Sequence, residues 1–199
     1  MSDLYLLLTP ALVFAVLALA GNVGCAWAVN LPAYRNDAPL VVDETFVTRR
    51  NDFTGWVGMV LVPHPDQQNI YAIGRFCLEG NNQSHDLKLV DATTLMDVPD
   101  TTVTVNLAGH APNTFAYAKF PRSPLLDANS KYYVLSSETA GGDEFWDFDT
   151  TVTLADAAPF LVPSAAFGYP TADPPITYSE KGGANQAYGP VDIQYGVKA

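Results

Sequence analysis

Hydrophobic and polar positions divide this chain into two unlike parts. From Leu4 to Tyr34, LYLLLTPALVFAVLALAGNVGCAWAVNLPAY, there is no Asp, Glu, Lys or Arg. A charge-free apolar run of that length can cross the ~30 Å hydrocarbon core of a bilayer as a helix. Beyond it, short apolar runs recur between Gly, Pro, Asn and Asp residues, and several alternate with period two. In Thr101–Leu107 (TTVTVNL), for instance, Val103, Val105 and Leu107 fall on one face. The pattern predicts strands over 42–48, 55–62, 69–78, 85–91, 101–108, 114–120, 131–137, 145–154 and 191–197. No window after residue 34 shows a helical period. Strands at this spacing with turn residues between them predict an all-β fold, an antiparallel β-sandwich or jelly roll, preceded by one N-terminal transmembrane helix. The expected organisation is an anchor over 1–34, a connector with the first strand over 35–52, and a β-sandwich domain over 53–199. Within that domain the Pro- and Gly-rich stretch 159–190 reads as a long arm over the sandwich edge.

Three readings compete for the apolar segment. Ala26-Trp27-Ala28 matches the small-x-small pattern before a signal-peptide cut at Val29. Against it stand the start Met-Ser-Asp, which lacks Lys or Arg, and the 25 apolar-type residues from Leu4 to Ala28, longer than a signal core. Cys25 suggests a lipoprotein, but Asn22-Val23-Gly24 is a poor lipobox. A retained helix of ~37 Å spans a bilayer with tilt. Leu4, Phe14 and Leu19 then lie in lipid, and Trp27 sits at the interface. The first basic residues, Arg35, Arg49 and Arg50, follow the helix, which alone would favour a cytoplasmic domain. The signal-like Ala-x-Ala and the secreted-type composition outweigh that, giving a single-pass protein of the cell membrane with its domain on the extracytoplasmic side.

Charge narrows the partners. The chain carries 21 acidic and 10 basic side chains, net −11, so it repels phosphate backbones and nucleic acid is not an expected partner. Its two cysteines, Cys25 and Cys77, read as isolated apolar residues. Neither CxxC nor HxxxH spacing points to zinc.

Several motifs carry a resemblance. Thr54-Gly55-Trp56-Val57-Gly58, Ile73-Gly74-Arg75-Phe76, Gly80-Asn81-Asn82-Gln83-Ser84-His85, Lys131–Glu138 with Gly141-Gly142-Asp143, and Tyr188-Gly189-Pro190-Val191 span roughly 53–195. Together they resemble an uncharacterised bacterial extracellular β-sandwich module of the kind that accompanies surface and carbohydrate-active proteins. The resemblance implies a fold and a location, and no reaction.

Candidate chemistry is sparse. Glu138, Asp143, Glu144, Asp147 and Asp149 form the densest acidic cluster, beside Gly141 and Gly142, and could offer oxygens to Ca²⁺. A solvated turn explains the same pattern, so no cofactor is expected apart from this candidate calcium. His64, His85 and His110 each lie in or beside turns and read as surface residues. The order His64, Asp86, Ser136 makes a triad on paper, but no GxSxG motif supports it. Trp56, Trp146 and Tyr169, with Tyr132 and Tyr133, could stack on a partner or on sugar rings, or simply fill the core. Asn82-Gln83-Ser84 is a bare glycosylation sequon.

The expectation is therefore a non-enzymatic, membrane-anchored accessory subunit that braces or caps a larger membrane-protein assembly, respiratory or photosynthetic assemblies being suitable hosts. A surface carbohydrate-binding module and a filament or surface-layer subunit are the alternatives.

Overall fold

The computed structural model describes residues 34–172, 175–189 and 191–198. The anchor residues Leu4, Phe14, Leu19 and Trp27, and Cys25, lie outside them. The described residues form strands and no helix: β1 (Tyr34–Pro39), β2 (Val41–Thr45), β3 (Arg49–Arg50), β4 (Gly55–Pro63), β5 (Gln68–Cys77), β6 (Ser84–Asp91), β7 (Val103–Asn106), β8 (Thr114–Lys119), β9 (Leu125–Leu126), β10 (Tyr132–Glu138), β11 (Phe145–Trp146), β12 (Thr150–Leu154), β13 (Phe160–Leu161), β14 (Ala165–Pro170), β15 (Ile176–Lys181), β16 (Gln186–Ala187) and β17 (Val191–Lys198).

Two large antiparallel sheets dominate. One runs β1-β17-β5-β8, with β9 on β5; the other runs β15-β14-β4-β10-β6-β7, with β13 on β4. A two-stranded sheet β11-β3 and a three-stranded sheet β16-β12-β2 complete the set among the described residues. Met59 and Leu61 of β4, Leu87 and Leu89 of β6, and Val134 of β10 share one buried cluster with Ile73 of β5 and Val191, Ile193 and Tyr195 of β17. The two sheets therefore close over a common apolar core, a sandwich-like arrangement. Each such side chain contributes about 1.5–3 kcal/mol by leaving water. The opposite face of the β4 sheet is apolar too: Val60, Val90, Tyr133, Leu135 and Ala166 are buried, with Trp56 and Tyr178 packed against them. Burial on both faces explains why GWVGMVLV reads as a continuous apolar run.

Three sequence expectations need correction. The stretch 159–190 is no loop: it holds β13, β14, β15 and β16, and β14 pairs with β4 from Ala165↔Met59 to Gly168↔Trp56. Its pattern is hidden by small residues, which the packing requires. At Gly168 an added Cβ would lie 2.6 Å from the Tyr178 ring of the neighbouring strand. The connector over 35–52 contains β1, β2 and β3, and β1 pairs with the C-terminal strand β17, Tyr34 opposite Lys198. The strand expected over 145–154 breaks into β11 and β12, because Asp147-Phe148-Asp149 forms a turn in which Thr150 N–H donates to the Asp147 carbonyl at 3.0 Å.

Candidate functional site

At one end of the sheets lies a buried polar network. Arg75 on β5 points into the interior beside Ile73 and Cys77, which share its face, and is 0% exposed. Its guanidinium grips Glu138 at the end of β10 with two bonds, Nε to Oε1 at 3.1 Å and Nη2 to Oε2 at 2.8 Å. Such a bidentate pair fixes geometry as well as charge. Arg75 also donates to the Phe76 and Glu144 carbonyls, and Ser136 Oγ donates to Glu138 Oε1 at 2.9 Å. Next to it, His85 on β6 lies with Nδ1 2.7 Å from the Ser137 carbonyl and Nε2 3.1 Å from Asp143 Oδ2, so both ring nitrogens face acceptors. The main-chain amides of Asn82 and Gln83 donate to Asp143. Burial pushes the Asp143 carboxyl up, but the Gln83 amide, the His85 ring and the Asn82 amide outweigh it and hold it below the usual range. Asn81 completes the set, its side chain bonding both the N–H and the carbonyl of Glu144. Every charged group here is spent on a neighbour, and the network ties β5, β6 and β10 to the loop 139–144.

Beside this network is a cavity of about 210 Å³, lined by Arg50, Phe53, Val57, Phe145, Phe167, Lys181 and Tyr188. Its rings meet edge to face: Phe53 on Phe167 with centroids 6.5 Å apart, and Phe167 on Tyr188 at 6.0 Å. Arg50 is held by Asp52 at 2.8 Å and Asp147 at 3.0 Å. Burial, with the nearby Asp147 charge, pushes the Tyr188 phenol up to about 12.

A shallower cleft of about 360 Å³ on the outer side of the β5-β17 sheet is lined by Val41, Val42, Asp43, Glu44, Phe46, Phe76, Asn113, Thr114 and Phe115. Behind it Asp192, 0% exposed, accepts from the Leu40 and Val41 amides at 3.2 and 2.9 Å and from the Tyr117 hydroxyl at 2.5 Å. Burial raises the Asp192 carboxyl to about 7 despite those donors. Burial, Asp192 and Asp43 together raise Glu44 to about 8.

The five acids proposed for calcium do not converge. Glu138 turns to Arg75, Asp143 to His85 and two amides, Glu144 to Arg49 at 3.3 Å, and Asp147 to Arg50. Asp149 accepts from Thr48 at 2.9 Å. Among the described residues no three His, Cys, Asp or Glu side chains gather as a metal group. The paper triad disperses likewise: His64 meets Asn129, Asp86 meets Thr104, and Ser136 meets Glu138. Cys77 is a free, buried thiol. Of the aromatics, Trp146 stacks on Phe46 at 4.5 Å with Arg49 over its ring, and Trp56 carries the Lys88 ammonium at 4.3 Å. Tyr169 is 40% exposed and stacks on Phe167. Sequence reasoning placed His85 on the surface, yet it is 3% exposed. The signal was its period-two partnership with Leu87 and Leu89, both buried.

No protein family, curated protein or solved structure matches this chain.

Proposed function

We propose that this protein is a non-catalytic accessory subunit, tethered to the cell membrane by its N-terminal segment, whose β head braces a larger membrane-protein assembly on the extracytoplasmic side. The observation that carries the reading is the closure of the Arg75–Glu138–His85–Asp143 network. A general acid or base has to reach the proton it moves, and these groups are bonded to one another and to main chain. The charge-free run from Leu4 to Tyr34 supports the tether. We read the strand order as jelly-roll-like, in keeping with the resemblance to bacterial surface modules. The partners on this reading are membrane subunits, in a respiratory or photosynthetic assembly or a comparable host.

A glycan-binding reading keeps one observation in its favour, the exposed Tyr169 ring beside Phe167. Trp56 and Trp146 contribute less, because Lys88, Arg49 and Phe46 occupy positions over their rings.

Extraction in a mild detergent followed by native sizing tests the proposal. The expected result is a species well above 21.4 kDa containing other membrane subunits. A chain that migrates alone as a 21.4 kDa monomer refutes the accessory role.

A further inference from the structure

The cavity lined by Phe53, Phe145, Phe167 and Tyr188 has a polar lining of unusual sign for so acidic a chain. Its two charged groups are both cations, Arg50 and Lys181. Tyr188 is 5% exposed, and its hydroxyl has no hydrogen-bond partner among the described residues. Its main chain is held by the Tyr188 amide, which donates to the Gly58 carbonyl at 3.0 Å. Lys181 has no carboxylate partner among the described residues; its ammonium sits 3.7 Å from the Phe148 ring centroid. Arg50 spends Nε on Asp52 and one Nη1 hydrogen on Asp147, leaving Nη2 without a partner among the described residues. The polar lining thus offers donors from three side chains, while Asp52 and Asp147 lie on the Arg50 edge. The remaining walls are aromatic or aliphatic.

We propose that this cavity binds a small monocyclic aromatic carboxylate, its ring among Phe53, Phe145 and Phe167 and its oxygens toward Lys181, Arg50 and the Tyr188 hydroxyl. A carboxylate is acceptor-only and takes several donors, which is what the lining presents. Sugar acids fit less well, because the Phe53, Phe145 and Phe167 walls offer their ring hydroxyls no hydrogen-bond partner. Size agrees: about 210 Å³ is below the ~300–1,000 Å³ of sites for drug-sized ligands, so one ring fills it. The site lies within residues 50–188 and is independent of the tether.

The test is isothermal titration of the full-length chain in detergent micelles with benzoate, benzamide and glucuronate. The expected result is saturable one-site binding of benzoate, with benzamide at least roughly 10-fold weaker, since a hydrogen bond to a charged group is worth that much. Lys181→Met and Tyr188→Phe should each weaken benzoate by a similar factor while leaving the thermal midpoint near wild type. Absence of saturable benzoate binding, equal affinity for benzamide, tighter binding of glucuronate, or unchanged affinity in both variants overturns the proposal. The benzoate–benzamide comparison needs only the wild-type chain, so it decides the matter even if a variant fails to fold.

Discussion

Arg75 has no exposed surface and its charge is answered by Glu138 alone at two-point geometry. Removing one partner of such a buried pair strands the other in a medium that solvates it poorly. Arg75→Met should therefore lower stability by about 3–5 kcal/mol in urea unfolding. Combining it with Glu138→Leu should recover part of that loss, because no lone charge is then buried. A double variant as unstable as the sum of the singles would place the energy elsewhere. The carboxyls near β2 act in the opposite sense from Asp143. Glu44 and Asp192, raised to about 8 and about 7, bind protons in the fold that the unfolded chain has already released. Their contribution is complete below the unfolded value near ~4 and is lost as pH climbs to about 8. Asp143, held low, contributes above its unfolded value and loses that contribution as pH falls through the folded one. Unfolding free energy should therefore decline between pH 5 and pH 8, and Glu44→Gln should flatten the slope. A profile rising across that window contradicts the assignment. Strand parity carried a signal for Arg75 that the sequence reading did not use, since it shares a face with Ile73 and Cys77. Parity fails for Asp192, which alternates with the core residues Val191 and Ile193 and is buried because the β1–β2 turn covers it.

At the scale of elements, two glycines set how closely strands approach. Gly74 on β5 lies under the Tyr117 ring of β8, and Gly168 on β14 under the Tyr178 ring of β15. In both, an added Cβ would stand 2.6 Å from the ring. Gly168→Val should cost about 1–3 kcal/mol by overpacking. It should also raise hydrogen exchange over Ile176–Lys181, because β15 is an edge strand whose main chain, among the described residues, pairs with β14 on one side. Uniform exchange with unchanged stability would show that the ring is free to move aside. These positions also explain what the sequence concealed. The period-two runs of β6 and β7 carry their hydrophobic faces openly. The hairpin of β14 and β15 instead uses Ala165, Ala166 and Gly168 where its partners supply bulk, so composition suggested a loop. The cavity at Tyr188 was equally hidden, since Arg50 and Phe53, Phe145, Phe167 and Lys181 come from four separate segments brought together by sheet pairing.

The whole molecule joins an acidic β head to a leading segment without a single charge between Leu4 and Tyr34. The described chain starts at β1, which lies beside β17 at the margin of one sheet, so the segment leads into an edge strand held from Tyr34 to Pro39. In the proposed tethered arrangement, a pull on the segment reaches the β1–β17 ladder of main-chain hydrogen bonds. All-β architecture was readable from alternation; the pairing of the first strand with the last was not, because register between distant strands leaves no local trace. The most direct test of the tethered-head account is an alkaline carbonate wash of membranes followed by the intact mass of the chain. The account predicts that the chain stays in the membrane pellet with the stretch Leu4–Ala28 still attached. A chain that begins at Val29 and leaves with the aqueous wash would contradict it.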